Sequence, residues 1–268
     1  MTAEFYIVAT PIGNLEDITF RAVNILKKVD YIACEDTRVT KILADKYTLT
    51  AKLFDCHKFN EVEKSEKILS LLNNGKSVAL VSDAGTPLIS DPGSKLIKIL
   101  RENDIKITSI PGASAVTTFL TYIPRISEEF AFIGFIPRTK KQQIEILNKY
   151  KYTNCIFYES PNRLMETLEN IQDEFGSDTK IAIGRELTKV FEEVKIDKVS
   201  EIIKYYQTNT LKGEIVALVF ASDIGNIDED EIKQKISLLE KDFSKKDISI
   251  IISKLYGINK NKIYKMMI

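Results

Sequence analysis

The chain has 268 residues and is 44% hydrophobic, which is enough for a sizeable core and leaves room for two domains. Its 38 basic and 38 acidic residues cancel, so no global field draws the chain to a polyanion. Because the three cysteines are scattered and no apolar run approaches roughly 18 residues, we expect no disulfide framework, no zinc site and no transmembrane helix. With no signal-peptide pattern at its start, the protein is predicted to be cytoplasmic.

Short β-type segments alternate with helical segments through the first half of the chain. Strands are predicted at residues 4–9, 31–34, 52–56, 78–81 and 106–110. Between them, apolar residues recur at helical spacing, for example over residues 18–29. This alternation predicts an α/β fold with a mostly parallel sheet.

The same pattern restarts after a junction near Pro124. Strands are predicted at residues 130–135, 154–158, 180–184 and 214–221. Ser160 and Pro161 have the residue types of an N-cap and a first helical position, so a helix is predicted to begin there. We therefore predict two α/β domains and a small helical C-terminal extension, with limits at residues 1–123, 124–223 and 224–268.

The predicted extension ends in the basic part of the chain. Residues 241–268 contain seven lysines and two acidic residues, which gives a local charge of +5. Two short helical patterns, at residues 245–255 and 259–267, are split near Gly257 and resemble a helix-turn-helix that contacts RNA phosphates. A small bundle packed on the body, or a contact between two copies, is the alternative that we favour.

The most informative stretch runs over residues 78–93. Its initial apolar run is too short for a helix and fits a strand buried on both faces. The loop that follows is longer than the roughly two to six residues usual for its class, and ligands bind in such loops of open α/β sheets. Asp83 offers a carboxylate there, and Asp91 and Pro92 are predicted to start the next helix.

Several common catalytic patterns are missing from the sequence. There is no G-x-G-x-x-G and no G-x-S-x-G, and His57 is the single histidine. What remains is a set of short polar loops, each after a predicted strand, at residues 10–14, 35–38, 82–91, 111–114, 158–163 and 185–189. Because the carboxyl ends of parallel strands share one edge, we expect these loops to converge on a cleft between the two halves.

These loops carry long motifs, in order, over nearly the whole chain. They are Thr10-Pro11-Ile12-Gly13-Asn14-Leu15 with Asp17-Ile18-Thr19, Glu35-Asp36-Thr37-Arg38, residues 82–93, Phe157-Tyr158-Glu159-Ser160 and Arg185-Glu186-Leu187-Thr188-Lys189. The set resembles the signature of the tetrapyrrole-methylase superfamily, and most closely its RsmI type, the cytidine 2′-O-methyltransferases of 16S ribosomal RNA. The resemblance implies two α/β domains with a cofactor cleft between them, S-adenosylmethionine as cofactor, 16S ribosomal RNA in the small ribosomal subunit as partner, and a homodimer.

The resemblance also implies roles for individual residues, and no metal. The cofactor is expected against Pro11, Asp83, Ala84, Gly85, Ile89, Ser114, Ala115, Tyr158 and Leu187. Candidates for the base or cation that acts on the ribose hydroxyl are Glu159, Glu186, Asp36 and Lys189. RNA contacts are expected from Arg38, Arg125, Arg138, Arg163 and Arg185, together with Lys140 and Lys141.

Three positions depart from the family pattern. Val39, Phe59 and Asn162 stand where many relatives have histidine, so none of those histidines is an indispensable base here, and His57 remains a candidate. Two other functions stay open at this point. One is methylation of a tetrapyrrole or a protein side chain, against which the length of the motif match speaks. The other is a non-enzymatic nucleic-acid-binding role for the tail, which leaves the loops unexplained.

Overall fold

The computed structural model of the protein describes residues 4–124, 128–222, 229–256 and 259–267. The strands of the first half are β1 (Phe5–Val8), β2 (Tyr31–Cys34), β3 (Lys52–Asp55), β4 (Val78–Leu80) and β5 (Ile107–Ile110). They form one parallel sheet in the order β3-β2-β4-β1-β5, which confirms the predicted parallel sheet. The connecting helices are α1 (Phe20–Leu26), α2 (Thr37–Tyr47), α3 (Glu61–Asn73), α4 (Ser94–Glu102) and α5 (Ala115–Thr121).

The central position of β4 explains its uninterrupted apolar sequence. This strand pairs with β1 on one side and with β2 on the other, and all of its residues are buried. A strand that is covered on both faces has no polar side, so it reads as a continuous apolar run. Since all neighbours are parallel, the loops after β1, β2, β4 and β5 leave the sheet at the same edge.

The second half forms a mixed sheet rather than a second parallel one. Its strands are β6 (Phe130–Phe135), β7 (Asn154–Glu159), β8 (Lys180–Arg185), β9 (Glu193–Lys198) and β10 (Ile215–Val219), and its helices are α6 (Lys140–Lys149), α7 (Pro161–Phe175) and α8 (Val199–Thr208). In the order β6-β7-β10-β8-β9, only β6 and β7 are parallel neighbours. β9 and α8 are not among the predicted elements, although the charged and apolar residues of β9 alternate as in a half-exposed edge strand.

The direction of β10 matters for the site. It runs antiparallel to both β7 and β8, and Ile215 at its start lies opposite Glu159 and Arg185 at their ends. The amino end of β10 is therefore inserted between the carboxyl ends of its two neighbours. Gly213 and Glu214, which immediately precede β10, reach the same edge as the predicted loops.

Helix α5 joins the two sheets. Phe119 of this helix is fully buried and shares one apolar cluster with Val216 and Leu218 of β10. Gly184 of β8 makes room for the ring, because a Cβ atom there would lie 2.6 Å from Phe119 Cδ2. The aromatic ring therefore sets how the edge of one sheet faces the edge of the other. The predicted domain limits stay a prediction.

Helix α4 begins later than predicted. Its N-cap is Gly93, and its first residue is Ser94, whereas the sequence pattern predicts Asp91 and Pro92 at these positions. Gly93 has a φ of +126°, a conformation that suits glycine, so the chain turns once more before it enters the helix. As a result, Asp91 is not the capping residue and remains in the preceding loop.

A buried carboxylate from another helix replaces the expected cap. Glu61 of α3 is buried, and its Oε1 accepts hydrogen bonds from the backbone N–H groups of Lys95 (2.7 Å) and Leu96 (3.2 Å). These amides belong to the first turn of α4 and have no partner within the helix. Glu61 thus ties α3 to α4.

We expect Glu61→Ala to lower the free energy of unfolding by about 1–3 kcal/mol, since two amide groups lose their acceptor. Glu61→Gln keeps an acceptor oxygen and should cost less. Urea unfolding curves measure both. Glu63→Ala is the matched control, because Glu63 is exposed on the same helix. Equal losses for Glu61→Ala and Glu63→Ala would contradict the capping role.

The C-terminal helices are α9 (Glu229–Leu239), α10 (Lys245–Tyr256) and α11 (Lys260–Met266). They pack around an apolar cluster of their own, formed by Ile232, Ile236, Ile248, Ile252, Ile263 and Met267. Tyr256 meets Tyr152 of the body edge-on, with ring centroids 6.2 Å apart. This arrangement is the predicted small helical bundle, while RNA binding by its lysines stays a prediction. None of the helices in the described residues has the length and apolar character needed to cross a bilayer.

Candidate active site

Backbone hydrogen bonds join the loops that follow β1 and β4. Thr10 N–H donates to the Gly85 carbonyl at 2.9 Å, and Gly85 N–H donates back to the Thr10 carbonyl at 3.1 Å. The Thr10 hydroxyl also donates to the Ser82 carbonyl at 3.0 Å. Gly85 has a φ of +82°, and a Cβ atom there would lie 3.2 Å from Ile12 Cγ2, so glycine permits this turn and close approach.

The remainder of the loop after β4 has an unusual backbone. Leu88 and Ser90 have φ values of +74° and +72°, which non-glycine residues rarely adopt. Such conformations persist only where the surrounding structure enforces them, and they occur often at ligand-binding sites. The loop is therefore shaped for more than a connection between β4 and α4.

A cavity of about 410 Å³ lies between this loop and the second sheet, and we call it the first cavity. Its volume falls in the range of small-molecule sites, which is roughly 300–1,000 Å³. All of the residues predicted to contact a cofactor line it except Pro11: Asp83, Ala84, Gly85, Ile89, Ser114, Ala115, Tyr158 and Leu187. The other lining residues are Ile12, Glu35, Thr86, Ser90, Asp91, Phe135, Glu159, Ser160, Pro161, Gly213, Glu214, Ile215 and Val216.

The first cavity is strongly acidic. Burial raises the pKa of Glu35, Asp83 and Asp91. The charge of Asp83 raises the pKa of Glu35 further, and the charges of Glu35 and Asp83 raise that of Asp91. The pKa of Asp91 reaches about 6. No lysine, arginine or histidine stands among the described residues that line this cavity. A ligand that carries positive charge would be stabilised here, because it would relieve the repulsion among the carboxylates.

An aromatic wall borders the same cavity. The ring of Tyr158 meets the rings of Phe132 and Phe135 edge-on, at centroid distances of 5.0 and 5.4 Å. Burial, followed by the charges of Asp91 and Glu214, raises the pKa of the Tyr158 phenol to about 12. Tyr158 therefore stays neutral and offers an apolar ring with a hydroxyl group.

A second cavity of about 380 Å³ adjoins the first. It is lined by Thr10, Pro11, Ile12, Gly13, Leu15, Val39, Thr40, Ile42, Leu43, Ser82, Asp83, Ala84, Lys189 and Glu214. Ile12, Asp83, Ala84 and Glu214 line both cavities and form the junction between them. Pro11 lines this second cavity rather than the first, and its contact with the cofactor stays a prediction.

Lys189 stands at the second cavity between two carboxylates. Its Nζ donates to Glu186 Oε1 at 2.8 Å and to Glu214 Oε2 at 3.1 Å. Burial favours a lower pKa for Lys189, but these hydrogen bonds outweigh it and raise the pKa. The same contacts lower the pKa of Glu186 against the effect of its burial. Lys189 is therefore an ammonium group and a fixed hydrogen-bond donor.

Two glycines allow this cluster to form. A Cβ atom on Gly13 would lie 2.4 Å from Lys189 Cγ, and one on Gly213 would lie 2.4 Å from Glu186 Cδ. Glu186 and Thr188 both have positive φ, at +51° and +66°. The loop after β8 is thus folded tightly against the loop after β1, and this brings polar groups of both halves into one site.

Glu159, one of the predicted catalytic candidates, is buried and held by hydrogen bonds. Its side chain is 1% exposed, and its oxygens accept hydrogen bonds from Ser160 N–H (2.6 Å) and the Thr167 hydroxyl (2.8 Å). Arg163 lies 3.0 Å from the same carboxylate and also donates to the carbonyl of Pro137 at 2.8 Å. These contacts occupy both side chains, so Glu159 and Arg163 hold the start of α7 against the loop after β6.

Asp36 and Arg38 are also mutually bound. Asp36 is the N-cap of α2 and accepts hydrogen bonds from Arg38 N–H at 2.8 Å and Arg38 Nη2 at 2.6 Å. These bonds, the side-chain bond first, lower the pKa of Asp36 to about 2, which makes it a poor base. The Arg38 side chain is 89% exposed, and its contact with RNA phosphate stays a prediction.

The other predicted cations differ in accessibility. Arg185 is largely enclosed, with its Nη1 donating to the Lys212 carbonyl at 3.4 Å, while Arg138 is exposed after β6. Lys140 and Lys141 are paired with Asp173 and Glu145. Arg125 lies outside the described residues.

His57 and the three residues that stand where many relatives have histidine lie in different parts of the structure. His57 lines neither cavity in the described part of the chain. Val39 lines the second cavity, Phe59 is 94% exposed, and Asn162 is exposed in the first turn of α7. The base candidate His57 therefore lies outside the cavity linings, although its charge acts on Glu35 of the first cavity.

Sequence patterns place Glu35 and Asp91 in the converging loops without giving either residue a role, and they do not identify Gly213 or Glu214 as site residues. The local sequence predicts that Asp91 is a helix N-cap, because Asp-Pro is a common helix start. It predicts that Glu214 is the first residue of a strand, and only the antiparallel direction of β10 brings Glu214 to the site. The Gly213-Glu214 pair before a β-branched run is the one local signal that marks a special backbone there.

An acidic cavity between the edges of the two sheets adjoins a second cavity beside a fixed lysine. This arrangement is typical of an α/β enzyme that binds a small molecule. The sequence matches the family model described as Tetrapyrrole (Corrin/Porphyrin) Methylases over residues 4–203. Ribosomal RNA small subunit methyltransferase I of Vibrio cholerae is 40% identical over 266 residues, which cover 97% of this chain and 92% of the relative. The protein of the same name from Bacillus subtilis is 43% identical over 229 residues, which cover 84% of this chain and 78% of the relative.

Solved structures share the fold. A cobalt precorrin-4 methyltransferase superposes with a TM-score of 0.63 at 18% identity, covering 81% of this chain and 94% of that one. A diphthine synthase superposes with a TM-score of 0.65 at 14% identity, covering 82% and 90%. The chain belongs to the tetrapyrrole methylase family and, within it, to the family of ribosomal RNA small subunit methyltransferase I. It is a methyltransferase, of a family that depends on S-adenosylmethionine.

Proposed function

We propose that this protein transfers a methyl group from S-adenosylmethionine to the ribose 2′-hydroxyl of a cytidine in 16S ribosomal RNA of the small ribosomal subunit. The observation that carries the proposal is the pair of joined cavities, one acidic and partly aromatic, the other beside Lys189. The names of the relatives support the substrate, since they are small-subunit ribosomal RNA methyltransferases.

The residues of the first cavity fit S-adenosylmethionine. This cofactor carries a sulfonium and an ammonium group, and the cavity presents Glu35, Asp83 and Asp91 without a described cation among its lining residues. Ile89 and the aromatic wall around Tyr158 suit an adenine ring, and the small residues at its rim allow backbone contacts. When bound, the cofactor supplies an activated methyl group.

The residues of the second cavity would position the acceptor. Lys189 stays protonated and offers a hydrogen bond where negative charge grows on the hydroxyl oxygen. Arg38 and Arg138 are exposed cations that suit phosphate groups on either side of the target ribose. Holding the reactants in this way can supply several kcal/mol of the barrier, roughly 7–11 in the best cases.

We expect the enzyme to be a cytoplasmic homodimer. The basic C-terminal bundle is a further candidate for contact with RNA. Phosphate contacts by this bundle would make RNA binding more salt-dependent, so charge-neutral variants of its exposed lysines should reduce the salt slope of RNA binding. An unchanged slope would remove the bundle from the RNA interface.

The test uses small ribosomal subunits from cells that lack this activity. They are incubated with the full-length protein and S-adenosylmethionine labelled in its methyl group, and the RNA is then digested to nucleosides. We expect the label in 2′-O-methylcytidine. Cofactor binding with no label in RNA would contradict the proposal and favour methylation of a tetrapyrrole or a protein side chain.

A further inference from the structure

Methyl transfer to a ribose hydroxyl needs an acceptor for the hydroxyl proton. The carboxylates predicted from the sequence are engaged elsewhere: Asp36 caps α2, Glu159 is buried among its donors, and Glu186 Oε1 is held by Lys189 and by a backbone N–H. Within the described residues, the carboxylates that line both cavities are Asp83 and Glu214.

Glu214 stands at the junction on a fixed backbone. Its N–H donates to Glu186 Oε1 at 2.9 Å, and its carbonyl accepts from Glu186 N–H at 3.0 Å. Its side chain is 69% exposed, with Oε2 lying 3.1 Å from Lys189 Nζ. The carboxylate can therefore meet a ligand that enters from solvent, while the main chain that carries it is held by Glu186.

The ammonium group of Lys189 lies next to the Glu214 carboxylate. Lys189 has a raised pKa and cannot take up a proton near neutral pH, so it acts as a donor. A carboxylate and an ammonium group 3.1 Å apart can contact the same hydroxyl group, the first through its hydrogen and the second through its oxygen.

We propose that Glu214 is the general base of the methyl transfer, with Lys189 as the adjacent cation; this rests on the proposed function. The Glu214 carboxylate accepts the proton of the 2′-hydroxyl as the hydroxyl oxygen forms its bond to the methyl carbon. The S–CH₃ bond breaks with its electron pair left on sulfur, which turns the sulfonium into a neutral thioether. The proton on Glu214 then passes to water. The positive charge of the sulfonium is thus balanced by the proton released.

Asp83 is less suited to this role. Its Oδ1 accepts a hydrogen bond from Asp36 N–H at 3.0 Å, and it faces Glu35 and Asp91 in the first cavity. We assign that cluster to the positive groups of the cofactor. The cation at the junction, Lys189, contacts Glu214.

The experiment measures single-turnover methylation of small ribosomal subunits by the full-length protein, at saturating cofactor and neutral pH. We expect Glu214→Gln to slow methyl transfer by about 10²–10⁴-fold, because the amide cannot accept the hydroxyl proton. Glu214→Asp, which keeps the carboxylate on a shorter side chain, should recover part of the rate. Calorimetry measures the S-adenosylmethionine affinity of both variants, so that the rates are compared with the cofactor site filled.

Glu186→Gln is the matched control. It removes the other carboxylate on Lys189 but keeps an acceptor for Glu214 N–H, so we expect a smaller loss of rate than for Glu214→Gln. The titratable groups that face Glu214 are Lys189, Glu186, Asp83 and Tyr158. Asp83→Asn is therefore measured as well.

Two outcomes would overturn the assignment. One is a wild-type transfer rate for Glu214→Gln, and the other is a larger loss of transfer rate at saturating cofactor for Asp83→Asn than for Glu214→Gln. If the unaltered protein binds the cofactor and transfers no methyl group to RNA, the proposed function fails first and the base assignment falls with it.

Discussion

Replacing Asp91 with asparagine is expected to weaken S-adenosylmethionine binding by about 10–100-fold, the usual size of a lost charged hydrogen bond. Asp91 lies in the first cavity, where Glu35 and Asp83 supply the other negative charges. The asparagine keeps the size and an acceptor oxygen, so the change removes charge with little change of shape. Titration calorimetry with the full-length protein measures the affinity.

The pH dependence of binding follows from the same residue. Burial first, and then the charge of Glu35, raise the pKa of Asp91 to about 6. A cationic ligand favours the ionised carboxylate, so binding is strong above about pH 6 and weakens as the pH falls through that value. Near pH 6, binding should also release protons, which calorimetry detects as a heat that depends on the ionisation enthalpy of the buffer.

Asp178→Asn is the control for these measurements. Asp178 is an exposed partner of Lys198 and is not among the described residues that line either cavity, so its replacement should leave the affinity unchanged. An Asp91→Asn variant that is folded and binds with the wild-type affinity and pH dependence would show that this carboxylate does not recognise the ligand.

Phe119→Ala is expected to lower the free energy of unfolding by about 3–5 kcal/mol, because it empties a large space in a fully buried cluster. The ring comes from α5 of the first half and packs against β10 of the second half. The variant should therefore also loosen the site, with a lower methylation rate at temperatures where the chain is still folded. Urea unfolding and a methylation assay on the same samples measure both effects.

Two further variants test the origin of that loss. Phe59→Ala removes an equally large ring that is 94% exposed, and it should change the stability by less than about 0.5 kcal/mol. Gly184→Ala overfills the space that the Phe119 ring occupies and should cost about 1–3 kcal/mol. Equal losses for the two phenylalanine variants would contradict a joining role for α5.

The sequence by itself determined the first sheet and most of the first cavity. The apolar run at residues 78–81 is short and unbroken, and such a run is typical of a strand covered on both faces. The strand–helix alternation implies parallel neighbours, and parallel strands deliver their loops to one edge. Residues such as Asp83, Ser114 and Leu187 are therefore predictable as neighbours, although they are far apart in the chain.

Only the tertiary structure decided which polar groups are available for chemistry. Asp91 was open to a second role once Glu61, from another helix, bound the first turn of α4. Glu159 is held by Ser160, Thr167 and Arg163, which the start of α7 brings together around its carboxylate. A carboxylate has the same local sequence signal whether it is a cap, a buried anchor or a base, and its partners across the fold make the difference.

The direction of β10 is the clearest example of a feature that only the tertiary structure decides. A β-branched run predicts a strand but not whether its neighbours are parallel, because that depends on hydrogen bonds with β7 and β8, remote in sequence. The antiparallel arrangement carries Gly213 and Glu214 to the junction of the two cavities. The loops and the composition of the site thus follow from local patterns, while the carboxylate beside Lys189 follows from strand pairing between distant segments.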